Sequence, residues 1–123
     1  MAAKVPTYAY EFADQDAPNI LGVNPGFDMG AAHAFEIQYV FNSEADLSAL
    51  GMSQDQIDLA NAMVGYWTRF AKTGNPNSSA GTGTNWPNFA TSGQYIQFDA
   101  PGTTQIAGTS FAGDHDCSFW SNL

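Results

Sequence analysis

The chain has 123 residues, 44% of them hydrophobic, with three Trp, five Tyr and nine Phe; that is enough apolar material for one folded domain and excludes a disordered segment. Twelve Asp and Glu against three Lys and Arg give a net charge of −9, which repels phosphate backbones and anionic lipid heads and argues against nucleic-acid and membrane-surface partners. Charged residues make up only 12%, so the acidity reflects scarce Lys and Arg, not a dense halophilic carboxylate coat.

From the N-terminus, Met1-Ala2-Ala3-Lys4 leads directly toward a strand-like segment. No apolar stretch is long enough for a signal peptide or a membrane span, so the sequence assigns no location. Tyr8-Ala9-Tyr10-Glu11-Phe12 is a short aromatic run that predicts a strand, whose sheet neighbours are not apparent. Ala13 to Met29 is rich in Asp, Asn, Pro and Gly and predicts a loop. It delivers the chain to His33 and to a short helix over about Ala32 to Phe41, ending near Asn42.

Ser53-Gln54-Asp55-Gln56 is a capping box, in which the Ser hydroxyl meets the Gln56 amide and the Gln side chain reaches back. A helix is predicted to start there. Ile57, Ala60, Met63, Val64, Trp67, Phe70 and Ala71 recur at helical spacing, and Lys72, Gly74 and Pro76 supply charge, cap and stop. Asn75 to Gly83 is a small-residue loop too short for a domain linker. Within it, Asn77-Ser78-Ser79 matches the glycosylation triplet, which matters only in a eukaryotic secretory setting. Tyr95–Phe98 and Gln105–Ala107 predict short strands around a Pro101-Gly102 turn, and Cys117–Trp120 a short final helix. There is no internal repeat.

Four stretches in this order, with a fifth between them, carry a family match. They are the strand Tyr8–Phe12, Gly30-Ala31-Ala32-His33-Ala34-Phe35-Glu36-Ile37, the run from Tyr66 to Pro76, Asn85-Trp86-Pro87-Asn88-Phe89, and Cys117-Ser118-Phe119-Trp120. Together they resemble the C-terminal portion of type B carboxylesterases, the cholinesterase and lipase-like branch of the α/β-hydrolase fold. The resemblance covers essentially the whole chain. It implies a single partial α/β domain over residues 1–123, with few strands, one long amphipathic helix and short helices. It also implies that the histidine of the Gly-x-x-His-x-x-Glu run, here His33, descends from the general base of a Ser-His-Glu triad. By the same resemblance Glu36 is a structural carboxylate. The family's nucleophile elbow, oxyanion glycines and triad acid have no counterpart in this sequence.

An imidazole is well suited to moving protons near neutral pH, but a catalytic histidine needs a carboxylate to orient it and a hydroxyl within reach. Ser110, in Gly108-Thr109-Ser110-Phe111-Ala112, comes near the elbow pattern, although Phe111 and Gly113 favour a strand end or turn. His115, between Asp114 and Asp116, reads as an exposed acidic turn ahead of a second base or a metal ligand. Cys117, the single cysteine, excludes an intramolecular disulfide, and with two His offers no zinc spacing. Its aromatic neighbours point to an inert packed thiol. The helical stripe reads as core before ligand groove. Neither metal nor cofactor is expected.

Two functions follow. The first is hydrolysis of short activated carboxylic esters, with His33 as general base in acyl transfer to water. The second is a non-catalytic module that self-associates or complements an esterase fragment, because apolar faces and a strand edge built to meet an upstream sheet need a substitute. The expected partners are accordingly a small-molecule ester and either a second copy of the chain or a complementary esterase fragment.

Overall fold

Residues 4–41 and 43–123 are described in a computed structural model; Met1–Ala3 and the expected helix end at Asn42 lie outside them. The elements run β1 (Tyr10–Phe12), α1 (Ile37–Phe41), α2 (Glu44–Ala49), α3 (Gln54–Thr73), α4 (Phe89–Ser92), β2 (Gln94–Asp99), β3 (Gly102–Ala107), α5 (Gly108–Asp114) and α6 (Cys117–Trp120). Every strand expected from the sequence is present. The predicted helix from Ala32 is shorter: residues 33–36 form turns, and only Ile37–Phe41 is helical.

The neighbour that the sequence left open is supplied by the late strands. β1 pairs in parallel with β2, Tyr10 opposite Ile96 and Phe12 opposite Phe98, and β2 pairs antiparallel with β3 through the Pro101-Gly102 turn. The parallel pair encloses the helical segment as its crossover, as such pairs require. Ala9 accepts from the Ile96 amide and Ala13 donates to the Phe98 carbonyl. Odd-numbered residues of β1 therefore face β2, and the backbone groups of Tyr10 and Phe12 face away, along an edge that no other strand pairs with among the described residues.

Alternation along the strands sets the core. Tyr10, Ile96 and Phe98 lie on one face and meet α3, with Tyr66 and Trp67 ring centroids 5.7 and 5.6 Å from that of Phe98. α3 starts as the capping box predicts: Ser53 Oγ accepts from the Gln56 amide at 3.3 Å and the Ser53 amide donates to Gln56 Oε1 at 2.9 Å. It ends on Gly74 at φ 74°, where a left-handed cap closes onto the Phe70 carbonyl. The buried stripe is Ile57, Leu59, Ala60, Met63 and Tyr66, while Val64, Phe70 and Ala71 stay exposed. The sheet against which this helix packs is the chain's own three-stranded one. No helix among the described residues is long and apolar enough to cross a membrane.

Candidate functional site

His33 is exposed on the turn that precedes α1. Three local devices fix that turn. Asp28 Oδ1 accepts from the Gly30 amide at 2.9 Å, and Gly30, at φ 53°, accepts from the Ala32 amide at 2.9 Å. Glycine is needed there for the left-handed backbone, whereas a Cβ would meet only the tip of the exposed Gln15 side chain, which can swing away. Ala34 then adopts φ 74°, a conformation that costs a residue with a Cβ about 1–2 kcal/mol. The strained residue sits directly after the histidine.

The strain is held in place from below. Phe35 is 1% exposed and Tyr39 fully buried, and both join the core. The Tyr39 hydroxyl donates to Asp14 Oδ2, which also accepts from Gln56 Nε2 at 2.9 Å; Gln56 Nε2 donates again to the Asp16 carbonyl at 3.1 Å. Asp14 Oδ1 accepts from the Asp16 amide at 3.1 Å. One buried carboxylate thus ties together the loop after β1, the helix α1 that follows the His33 turn, and the start of α3. Burial, followed by the hydrogen bond to Asp14, pushes the Tyr39 phenol far above its ordinary value. Sequence reasoning did not single out Asp14 or Tyr39, and it saw in Gln56 only a cap. No local pattern marks residues that meet across 25 and 42 positions.

Among the described residues, nothing hydrogen-bonds or pairs with the His33 ring. Glu36 is half-buried, and its charge, after burial, raises the Tyr10 phenol. Ser110 is exposed on the first turn of α5, a helix where a strand end or turn was expected. Among the described residues, the non-glycine residues at positive φ are Ala34 and Asp116, so Ser110 lacks the strained backbone of an elbow nucleophile.

His115 lies, as expected, in an exposed turn between Asp114 and Asp116, and it also reaches β1. Its Nε2 lies 2.8 Å from Glu11 Oε1, and Glu11 Oε2 accepts from Gln97 Nε2 at 3.0 Å. Its ring also packs on Phe111, with centroids 4.3 Å apart. From that turn the residue joins the end of α5 to β1. No group of three His, Cys, Asp or Glu among the described residues is arranged to hold a metal ion. Cys117 is a half-buried free thiol, and its neighbours Phe119 and Trp120 are exposed rather than packed around it. Asn77 spends its amide on Trp86, accepting from the Trp86 amide at 2.7 Å and donating to its carbonyl at 2.9 Å. A glycan would take one of the two hydrogens on that nitrogen, which donates to Asn75 Oδ1 at 3.1 Å as well as to the Trp86 carbonyl, so one of these two donations would be lost.

The carboxylesterase family model matches residues 1–120. Acetylcholinesterase from Bungarus fasciatus is 34% identical over 117 residues, covering 94% of this chain and 18% of that protein. Carboxylesterase 4A from Bos taurus is 35% identical over 121 residues, covering 98% and 20%, and bile salt-activated lipase from Homo sapiens is 38% identical over 91 residues, covering 73% and 11%. A solved PNB esterase superposes with a TM-score of 0.61 at 24% identity, over 88% of this chain and 20% of that one, which shows the fold to be that of a portion of an α/β-hydrolase. The chain thus spans about a fifth of the length of these esterases. Matched along nearly its whole length, it belongs to the carboxylesterase family.

Proposed function

We propose that this chain contributes the general base of a carboxylic-ester hydrolase, and that His33 is that base. The observation supporting this reading is the contrast at one turn: the imidazole is exposed while the residues on either side are locked by Gly30, Ala34, Phe35 and Tyr39. A base must keep its geometry and still reach a substrate. The family match over residues 1–120 supports the class of chemistry.

In this reading His33 takes the proton of an attacking hydroxyl as that oxygen adds to the ester carbonyl, and returns it to the departing alkoxide. Water then repeats the cycle on the acyl intermediate, releasing the acid. No serine of the described residues hydrogen-bonds His33, so the proposal assigns the nucleophile, the orienting carboxylate and the oxyanion donors to a complementary esterase segment. Short activated esters are the substrates it expects. The test mixes the purified chain with a related carboxylesterase fragment that lacks this region, and follows hydrolysis of p-nitrophenyl acetate. Restored activity that falls by about 10³-fold or more with His33→Ala supports the reading. Restored activity indifferent to that substitution overturns it.

The second reading, a complementing module without a catalytic group, is favoured by the open edge of β1 and the apolar groove beside it. It predicts complex formation with the same fragment whether or not hydrolysis appears.

A further inference from the structure

Of the chain's two histidines, His33 has no hydrogen-bond partner for its ring among the described residues, whereas His115 Nε2 lies 2.8 Å from Glu11 Oε1. That carboxylate is itself held by the sheet. Glu11 stands opposite Gln97 across the β1–β2 pair, and Gln97 opposite Thr104 across β2–β3. Gln97 Nε2 donates to Glu11 Oε2 at 3.0 Å, and Gln97 Oε1 accepts from Thr104 Oγ1 at 3.4 Å. The three strands thus carry one row of polar side chains on the face turned away from α3, and His115 closes the row from the turn after α5.

The contact fixes the tautomer. An ionised carboxylate accepts and does not donate, so the proton sits on Nε2, and the neutral ring carries its lone pair on Nδ1. A hydrogen bond from Nε2–H to a carboxylate also makes the ring a better electron donor. Among the described residues nothing hydrogen-bonds Nδ1. The ring plane is held as well: Phe111 packs on it with centroids 4.3 Å apart, and Phe111 in turn stacks on Tyr95 at 4.5 Å. Glu11 is mostly covered, its side chain 17% exposed, while that of His115 is 48% exposed. An imidazole with one nitrogen bound to a fixed carboxylate and the other open to solvent is arranged to donate its lone pair to an incoming electrophile.

We propose that Glu11 and His115 form a second acyl-transfer site, separate from His33, in which Nδ1 of His115 attacks small aryl esters. Nδ1 forms a bond to the acyl carbon, the carbon–oxygen bond of the ester breaks, and its electron pair leaves with the aryloxide. The ring, acylated at Nδ1 and still protonated at Nε2, carries a positive charge that Glu11 Oε1 faces and stabilises. Its chain neighbours Asp114 and Asp116 add to the anionic surroundings. Water then adds to the acyl carbon, the nitrogen–carbon bond breaks, the carboxylic acid departs, and one proton of that water passes to solvent. A half-exposed ring encloses no acyl pocket, so the substrates are esters whose leaving group departs unaided. Glu11 acts here as a positioning residue, and the site needs no complementary esterase segment.

The test uses the 123-residue chain alone with p-nitrophenyl acetate. Release of p-nitrophenolate should continue past one equivalent per chain, because an acyl-imidazole turns over, whereas acetylation of Lys4 or Lys72 stops at a stable amide. His115→Gln should lower the second-order rate constant by about 5-fold or more, and His33→Gln by less than about 2-fold. Glu11→Gln keeps an oxygen for Nε2–H and removes the charge, for an expected loss of about 3-fold. In that variant the His115 ring N–H proton should move upfield in NMR spectra while the backbone amide resonances of β2 stay in place, a combination that a collapsed fold does not give. Release that stops at one equivalent, a rate untouched by His115→Gln, or equal losses in the two histidine variants would each overturn the assignment. The complementation assay that tests His33 is a separate measurement, so either site can fail without the other.

Discussion

Tyr39 on α1, the helix that follows the His33 turn, donates its hydroxyl to Asp14 in the loop after β1, and both side chains are buried. Tyr39→Phe keeps the ring against Phe12, 4.9 Å away between centroids, and removes only the donor. The expected loss is about 1–3 kcal/mol in urea denaturation, because a buried carboxylate gives up one of its partners.

The same contact sets an alkaline limit. Burial raises the phenols of Tyr39, Tyr10 and Tyr66 above the ordinary value of 10.0, with Asp14 adding to the rise at Tyr39 and Glu36 at Tyr10. The folded chain therefore holds these protons more tightly than the unfolded one. Their contribution is complete below pH 10 and is lost as pH rises beyond it, at up to about 1.4 kcal/mol per pH unit for Tyr39. Denaturation midpoints measured from pH 8 to 11.5 should fall, and Tyr39→Phe should flatten the fall. An unchanged slope in that variant would remove Tyr39 as its source.

Gln56 serves two structures at once, its Oε1 closing the cap on the Ser53 amide while its Nε2 holds Asp14. Gln56→Glu keeps the cap acceptor and sets a second carboxylate against the first. It is expected to destabilise the fold at pH 7 by on the order of 3 kcal/mol, with part of the loss recovered near pH 4. A variant as stable as the parent at both pH values would show that the Asp14 contact carries no weight.

Asn77 clamps the backbone of Trp86 through two hydrogen bonds, and the Trp86 indole in turn donates to the Ala9 carbonyl at 2.9 Å. Asn77→Ala should cost about 1–3 kcal/mol by leaving a peptide group unpaired. Because Trp86 packs against Tyr10, Tyr66 and Trp67, tryptophan emission should change as well. Stability and emission both unaltered would contradict the clamp.

Ala34 holds φ 74° beside His33. Ala34→Gly relieves that strain at the cost of added freedom in the unfolded chain, for a net gain of about 0.5–1 kcal/mol. Thermal denaturation decides it, with a higher midpoint for Ala34→Gly and a lower one for the β-branched Ala34→Val. In the complementation assay Ala34→Gly should also reduce activity, since the proposed base then rests on a softer turn.

The sequence by itself determined what nearest neighbours decide. The capping box at Ser53 and Gly74 bounded α3, the Pro101-Gly102 turn joined two strands, and the Gly30–Glu36 run carried the resemblance. These signals are local, resting on hydrogen bonds closed within a few residues and on the period of the apolar positions. Tertiary structure alone decided that β1 pairs with a strand 86 positions later, that His115 reaches back to Glu11, and that Asp14, Tyr39 and Gln56 share one buried contact. Pairings over such distances depend on which apolar faces close together, a choice made by the packed core as a whole and written in no single stretch of chain.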